Sequence, residues 1–376
     1  MRQSQRSQSF RELIADPEYK MIMLASIAMF SISALLHYPG RSGPPLYSDL
    51  ISVFWYQRPY ITHGIPYVTY VFEYPPVCGL ILWAGAWGSQ GNSDVFAVIE
   101  FSILFLFMIL LSHVLYLFIQ KLRLDSNRQL LYVAFAPSFL IYGIYNFDIV
   151  QAALVILGLY LFIVSKKYDS SALIMGLSVA TKTAPALLVP LFLQDLKDMN
   201  SRIRYLSLVI IVALGMNLPF MVLNYHTWLA GYEFIKNWEL EDTFLVWIFS
   251  NNASWAMAKI VSFTLLAFSV LIIYVFASKK PLLVRSFLII GIFILFSYIA
   301  TPQMNLDLLP FFALVPVIPY SIFLPFEVLN AGIILTWFSF NDSTLPGVPQ
   351  AFALLRQVYL LFILVIVWTS RVFNLG

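Results

Sequence analysis

Side chains able to do acid–base chemistry are concentrated in one stretch of this chain. The segment LYSDLISVFWYQRPYITHGIPYVTYVFEYPPV, residues 46–77, contains two carboxylates, Asp49 and Glu73, and a tandem proline, Pro75-Pro76. Its apolar residues show almost none of the regular spacing of a helix or a strand, which is typical of a loop. Loops often carry functional residues. A carboxylate there can take a proton from an attacking hydroxyl group. The segment is therefore either a linker between apolar elements or the reactive part of the protein.

A lysine interrupts one of the long apolar runs elsewhere in the chain. Lys182 stands within ALIMGLSVATKTAPALLVPLFL, residues 172–193. An ionisable residue deep in a membrane segment is costly to bury and is a functional candidate for that reason. The alternative is that its long side chain extends to the cytoplasmic headgroups. Asn146 and Asp148 pose a similar choice, since they either serve a site or end one helix and cap the next.

The elements that must position these groups are membrane helices. Apolar residues make up 60% of the 376-residue chain and charged residues only 11%, unlike the composition of soluble domains. The mean hydropathy is +0.82. Cys78 is the only cysteine, which excludes an internal disulfide. The chain has no GxxxxGK[ST], GxGxxG, CxxC or HExxH pattern, so a nucleotide-binding loop or a zinc site of these classes has no support.

Ten apolar runs are predicted to cross the membrane. They lie at about 20–37, 95–119, 129–147, 149–165, 205–223, 254–277, 283–300, 306–320, 322–339 and 351–369. The predicted fold class is an all-α polytopic membrane protein that forms one domain, residues 1–376. Most lysines and arginines fall on one side of the membrane if the chain starts in the cytoplasm, which predicts that both termini are cytoplasmic.

Residues 172–193 do not fit a pattern in which successive crossings place the basic loops on the cytoplasmic side. If they crossed, the basic loop 197–204 would lie outside and every later loop would change sides. Pro185 cannot donate a backbone hydrogen bond, and Thr181 and Thr183 can satisfy the carbonyls that a break leaves free. We therefore predict a re-entrant helical hairpin, with an ordinary kinked span as the alternative.

The opposite face is acidic and aromatic. It is formed by the long loop 38–94, the turn 145–148, the loop 224–253 and the tips near 301–305 and 340–350. This arrangement predicts that the possible reactive loop lies on the extracytoplasmic side, in the plasma membrane of a prokaryote or in the ER membrane.

Several segments together resemble the GT-C superfamily of membrane glycosyltransferases. Loop 38–94 contains Y-S-D (47–49), G-x-P-Y (64–67) and F-E-Y-P-P (72–76), and is similar to the family's first extracytoplasmic loop. The other similar segments are NFDIVQAALVILGLYLF (146–162), GLSVATKTAPALLVPLFL (176–193), NYHTWLAGYEFIKNW (224–238) and TPQMNLDLLPFFALVP (301–316). Within this superfamily, the segments resemble those of the first GPI mannosyltransferase and of the polyprenol-phosphate-mannose-dependent α-mannosyltransferases.

This resemblance implies a bundle of about ten transmembrane helices with a re-entrant hairpin and a long first outer loop. It also implies transfer of a sugar, most simply mannose, from a polyprenyl-phosphate donor to a lipid or glycan acceptor, with Asp49 as the general base. The implied substrate-binding residues are Tyr47, Arg58, Glu73, Tyr74, Asn146, Asp148, Lys182, Lys236, Thr301 and Gln303. Candidates for stabilising the leaving phosphate are Lys182, Arg58, His63 and Lys236.

One departure from the family concerns metal. The GPI enzyme carries Asp-x-Asp where this chain reads Asp49-Leu-Ile, so we predict no metal held between two aspartates. No cofactor is expected, although the residues leave a divalent cation open. The expected partners are the two substrates and membrane lipids, and no nucleic acid is expected.

Other interpretations remain open at the level of the sequence. Asp49 can cap a helix that starts at Leu50, Glu73 can be a solvated loop carboxylate, and Thr301 and Gln303 can be turn formers. A secondary transporter would explain a lysine in a broken intramembrane helix, but no inverted repeat is visible. A flippase or scaffold for lipid-linked sugars would have no need of Asp49.

Overall fold

The chain folds into an all-helical bundle. The computed structural model describes residues 10–42, 45–53, 63–338 and 346–370, and no β-strand forms within those ranges. The principal α-helices are α1 Phe10–Ala15, α2 Pro17–His37, α3 Pro76–Ser89, α4 Ser93–Leu122, α5 Pro137–Tyr142, α6 Asp148–Ile163, α7 Tyr168–Val179, α8 Val189–Asp195, α9 Met199–Leu223, α10 Tyr225–Asn237, α11 Trp255–Phe276, α12 Leu282–Phe296, α13 Leu309–Leu314, α14 Tyr320–Trp337 and α15 Val348–Thr369. The 3-10 helices are Ala184–Leu188, Phe244–Trp247, Asn252–Ser254 and Pro302–Asp307.

Six of the helices in the described ranges are long and apolar enough to cross a membrane, namely α2, α4, α9, α11, α14 and α15. Helices α9 and α11 bury little of their surface and expose large apolar side chains such as Ile211, Val222 and Phe276. Such a surface is unfavourable in water and favourable against lipid. The protein is therefore an integral, multi-pass membrane protein.

The predicted crossing 129–147 is not a continuous helix. The one-turn helix Asn127–Gln129 continues into a π-helical turn, Leu130–Ala134, and α5 then restarts at Pro137. Proline is compatible with the first turn of a helix, but it disfavours helical geometry in the residue before it. The proline therefore separates the two helical pieces, and uniform hydrophobicity in the sequence hid this break.

The predicted crossing 306–320 is also divided. The 3-10 helix Pro302–Asp307 leads into α13, whose terminal carbonyls need partners. The guanidinium of Arg128 donates to the carbonyls of Phe312 and Ala313, at 2.7 and 2.8 Å. A basic side chain from another part of the chain thus completes the end of this short helix.

Residues 168–195 form a helical hairpin beside α6. The chain runs along α7, leaves regular helical geometry at 180–183 and returns through a 3-10 helix and α8. The ring of Phe162, near the end of α6, contacts the rings of both Tyr168 and Phe192, with centroids 4.9 Å apart in each pair. The two ends of the hairpin therefore lie close to each other, at the same end of α6.

The tip of the hairpin is held by the first turn of α3. The backbone N–H of Val77 donates to the carbonyl of Ala180 at 3.0 Å, and Sγ of Cys78 donates to the carbonyl of Thr181 at 3.1 Å. Oγ1 of Thr181 donates to the carbonyl of Leu177 at 2.9 Å, as the sequence predicted for a broken helix. Protein groups thus satisfy backbone carbonyls around the break, which a break inside a membrane domain requires.

Candidate active site

A cavity of about 760 Å³ lies where the hairpin tip, the starts of α3 and α6, and two later loops meet. This volume is within the range of about 300–1,000 Å³ that is usual for small-molecule sites. The lining is drawn from residues 47–53, 73–75, 182–184, 232–242 and 297–307, from Tyr145 and Gln151, and from mainly apolar residues of α11, α12 and the end of α14. The fold thus gathers widely separated polar segments around one space.

The carboxylate of Asp49 faces this cavity and is oriented by an amide. Nδ2 of Asn146 donates to Oδ2 of Asp49 at 2.8 Å, across 97 residues of sequence. Oδ1 of Asn146 accepts from the backbone N–H of Phe147 at 2.7 Å, which fixes the amide with its N–H groups toward Asp49. Ser48 joins the two segments, because its Oγ donates to the carbonyl of Ile144 at 3.0 Å. The position of the carboxylate is therefore set by the turn before α6.

Tyr74 connects this carboxylate to Lys182. Nδ2 of Asn146 also lies 2.5 Å from the hydroxyl oxygen of Tyr74, and Nζ of Lys182 lies 5.7 Å from the centroid of the Tyr74 ring. The negative face of an aromatic ring attracts a cation at this distance. The hydroxyl of Tyr67 donates to the carbonyl of Tyr74 at 2.6 Å and holds the loop backbone. Asp49, Asn146, Tyr74 and Lys182 thus form one continuous set of contacts.

Lys182 is the only cation among the described residues that line the cavity. Its Nζ lies 2.5 Å from Oδ1 of Asp148, whose side chain is fully buried, whereas 14% of the Lys182 side chain is exposed. A buried carboxylate is strongly destabilising without a paired cation. The ion pair therefore fixes Lys182 at the hairpin tip, where it can meet an anionic ligand group.

Carboxylates from several segments line the cavity, and these are Asp49, Glu73, Glu241, Asp242 and Asp307. Burial raises the pKa of Asp49 to about 7, and the nearby Glu241 carboxylate adds to this effect, while hydrogen bonds to Asp49 oppose it. Burial also raises the pKa values of Glu73 and Glu241. A carboxylate with a pKa near 7 is well matched to proton transfer at neutral pH.

A buried polar network supports the cavity wall formed by residues 300–303. The guanidinium of Arg356 donates to the carbonyls of Asp242 and Ala300, at 3.1 and 2.6 Å, and so joins two lining segments. Nδ2 of Asn330 donates to the carbonyl of Pro302 at 2.9 Å. These hydrogen bonds from two buried side chains hold the wall and the segment of Asp242 in fixed positions relative to each other.

Most of the site residues predicted from the sequence lie at this cavity. Those that line it are Tyr47, Asp49, Glu73, Tyr74, Lys182, Thr301 and Gln303. Asn146 and Asp148 contact members of this set. Lys236 and His63 are exposed and do not line the cavity. Arg58 lies outside the described residues.

Other cavity residues did not enter the predicted site. These are chiefly Tyr145, Gln151, Glu241, Asp242 and Asp307. Nε2 of Gln151 donates to Oδ2 of Asp307 at 2.6 Å. One available signal was spacing, because Gln151 follows Asp148 by three residues and the two share a face of α6.

The cavity also has two apolar walls. One is formed by Phe234, Trp238, Phe263, Leu266 and Phe293, from α10, α11, α12 and the residue after α10. Two of these side chains, Phe234 and Phe263, are also 43% and 58% exposed, so this wall reaches the outer surface of the bundle. The other wall is formed by Ile333, Ile334, Trp337 and Phe338, at the end of α14. The cavity is thus suited to an amphiphilic ligand with a polar head and an apolar chain.

Among the residues that the structure describes, no group of three His, Cys, Asp or Glu side chains is arranged to hold a metal ion. Neither a protein-family model nor a curated protein sequence matches the chain. The candidate function therefore rests on the residues of the cavity.

Proposed function

We propose that the protein is a membrane glycosyltransferase that moves a sugar from a polyprenyl-phosphate donor to a hydroxyl group of a lipid-linked or glycan acceptor. The observation that carries this proposal is the set of contacts from Asp49 through Asn146 and Tyr74 to Lys182. It brings a proton acceptor and a cation to the same cavity. Mannose is the proposed sugar because of the family resemblance.

The reaction assigns a role to each of the two charged groups. The acceptor oxygen attacks the anomeric carbon of the donor sugar while its proton passes to the carboxylate of Asp49. The bond between the anomeric carbon and the phosphate oxygen breaks, and its electron pair remains on that oxygen. Lys182 stabilises the negative charge that develops there. The donor is already activated by its phosphate, so no nucleotide-binding fold is required.

The apolar walls give the lipid part of the donor a place. A polyprenyl chain lies against Phe234, Phe263 and Leu266, where the cavity reaches the lipid-facing surface between α10 and α11. The polar head then extends toward Asp49 and Lys182. This arrangement lets a membrane-borne substrate reach the site without leaving the bilayer.

We also propose a membrane topology for the chain. The hairpin 168–195 re-enters from the cytoplasmic side, both termini are cytoplasmic, and the cavity opens on the extracytoplasmic side. The remaining crossings are made by the shorter apolar helices α6 and α12 and by the two divided segments near α5 and α13, which reach about ten in total. Support comes from Phe162, which contacts both ends of the hairpin.

Sidedness can be measured with single cysteines in a Cys78→Ser background. Cysteines at Asn200, just after the hairpin, and at Glu239, just after α10, occupy exposed positions. We expect an impermeant thiol reagent to label Glu239→Cys in intact cells and Asn200→Cys only after permeabilisation. Labelling of both positions in intact cells would overturn the re-entrant hairpin.

The pKa of Asp49 predicts how sugar transfer depends on pH. A general base must be deprotonated, and burial raises the pKa of this carboxylate to about 7. We therefore expect kcat/KM to rise about tenfold per pH unit below pH 7 and to level off above it, because this parameter reports groups of the free enzyme. The donor phosphodiester does not titrate in this range. A flat profile between about pH 5.5 and 8.5 would contradict the assignment of Asp49.

A second candidate is a transporter or flippase for lipid-linked sugars. The observation in its favour is a lysine at the break of a helical hairpin, since broken helices often form substrate sites in transporters. This candidate does not explain why Asp49 is oriented by Asn146, because translocation requires no base. The two candidates differ in whether the bond between sugar and phosphate is cleaved.

A further inference from the structure

Three buried side chains that line the same cavity as Lys182 have oxygens without hydrogen-bond partners among the described residues. They are Oε1 of Gln151, Oε1 of Gln303 and Oδ1 of Asp307. All three side chains line the cavity, and the residues are only 1%, 5% and 8% exposed. Buried polar atoms in native proteins are nearly always paired, so several unpaired ones at one cavity indicate a ligand.

The backbone and one hydrogen bond hold these three side chains together. Nε2 of Gln151 donates to Oδ2 of Asp307 at 2.6 Å, which fixes both groups and leaves Oε1 of Gln151 and Oδ1 of Asp307 without a partner among the described residues. Gln303 and Asp307 belong to the same short 3-10 helix. Lys182 and Asp148 lie close enough to Asp307 to interact with it electrostatically. Asp307 therefore lies near the proposed phosphate-binding lysine, and the side chains of Gln151 and Gln303 line the same cavity.

The chemistry of this set selects one class of ligand. All three unpaired atoms are acceptors, so their partner must supply several hydrogen-bond donors. Amide and carboxylate oxygens accept readily from hydroxyl groups. A sugar ring carries several hydroxyl groups close together, and in the donor this ring is attached directly to the phosphate. A ligand bound to Lys182 through its phosphate thus brings its ring hydroxyls toward these acceptors.

We propose that Gln151, Gln303 and Asp307 form the subsite that binds the hydroxyl groups of the transferred sugar and determines which sugar is accepted. This inference rests on the proposed glycosyltransferase function and deepens it. A site built to accept from a substrate hydroxyl rejects an analogue without that hydroxyl, because the buried acceptor is then left unpaired. The subsite therefore discriminates between sugars by the positions of their hydroxyl groups.

The test measures coupling between one side chain and one hydroxyl group. Wild type and Asp307→Asn are assayed with polyprenyl-phosphate mannose and with a series of its single-deoxy analogues. For Asp307→Asn we expect kcat/KM to fall about 10- to 100-fold with the parent donor. With the one analogue that lacks the contacted hydroxyl, the same substitution should lower it by less than about threefold. An equal loss with every donor, or no loss, would overturn the subsite.

Two further variants separate binding from folding. Gln303→Met removes an acceptor whose oxygen has no partner among the described residues, so we expect the fold to be retained. In this variant, kcat/KM for a different deoxy analogue should no longer be lower than kcat/KM for the parent donor. Glu327→Gln is the matched control, because Glu327 also accepts from a buried amide, that of Asn305, but does not line the cavity. Glu327→Gln should leave the ratios of kcat/KM between the donors unchanged.

The outcome for wild type distinguishes this inference from the function on which it rests. If wild type transfers no sugar from any polyprenyl-phosphate donor, both the proposed function and the subsite are wrong. If wild type transfers sugar and none of the variants changes the ratios between donors, only the subsite is wrong.

Discussion

Asp49→Asn should lower the turnover number by about 10²- to 10⁴-fold, which is the usual contribution of a general acid or base. Asparagine has nearly the same shape and keeps an oxygen that can accept from Nδ2 of Asn146, but it cannot take up a proton. The substitution also removes a carboxylate that lies close to Glu241, so we expect no loss of folding stability. Turnover is measured with purified, monodisperse protein and saturating donor.

A matched control separates proton transfer from a general change of charge. Glu239→Gln removes an exposed carboxylate that lies just after α10 and does not line the cavity. This variant should turn over at the wild-type rate. Turnover of Asp49→Asn at the wild-type rate would show that Asp49 only stabilises the loop, and Glu73 would become the next candidate for the base.

The second large effect is expected from removing the positive charge at the hairpin tip. Lys182→Gln alone leaves the fully buried Asp148 unpaired, which costs about 3–5 kcal/mol of folding stability and gives poor yields. The double variant Asp148→Asn, Lys182→Gln removes both charges, so stability should largely return. Turnover of the double variant should still be about 10²- to 10³-fold below wild type, because the leaving phosphate has lost a stabilising group.

A second ion pair, between α12 and the end of the same hairpin, provides the control. Arg285 pairs with Asp195 at the opposite end of the hairpin, and neither residue lines the cavity. The double variant Asp195→Asn, Arg285→Gln should change thermal stability but leave turnover within about threefold of wild type. A stable Asp148→Asn, Lys182→Gln variant with wild-type turnover would assign Lys182 a purely structural role.

Some of the site could be predicted because polar residues are conspicuous in an apolar chain. Asp148 and Lys182 stand alone in hydrophobic segments, and burying either one alone is unfavourable, so their pairing across 34 residues agrees with that physical constraint. Asp49 and Asn146 were found separately, as a loop carboxylate and a turn amide. Their contact could not be predicted, because it depends on how two distant loops fold against each other.

The cavity residues that the sequence did not predict were overlooked for physical reasons. Gln151 is neutral and lies in a helix that is otherwise almost wholly buried and apolar, so the sequence gives it little weight. Asp307 falls inside a run predicted to cross the membrane, and its position became clear only when that run proved to begin with a 3-10 helix. Glu241 resembles the other acids of its loop until the fold brings it close to Asp49.

The helices could likewise be predicted from local sequence, whereas the orientation of their side chains depends on tertiary packing. Hydrophobic length identified the long helices, such as α4 and α11, because a run of apolar residues is sufficient to form them. Lys236 was selected by the resemblance of its loop, but α10 turns Phe234 and Ile235 toward the cavity and leaves the lysine exposed. The side of an amphipathic helix that faces a cavity depends on its neighbours.

Cleavage of the bond between sugar and phosphate tests the proposed function most directly. The purified protein is reconstituted in liposomes with a polyprenyl-phosphate mannose that carries one isotope in the sugar and another in the phosphate, together with a membrane lipid extract as acceptor. We expect the two labels to separate, with the sugar in a new glycolipid or glycan and the phosphate in polyprenyl phosphate, and we expect Asp49→Asn to abolish most of this separation. Movement of both labels together across the bilayer, with no separation in wild type, would contradict glycosyl transfer and favour a flippase.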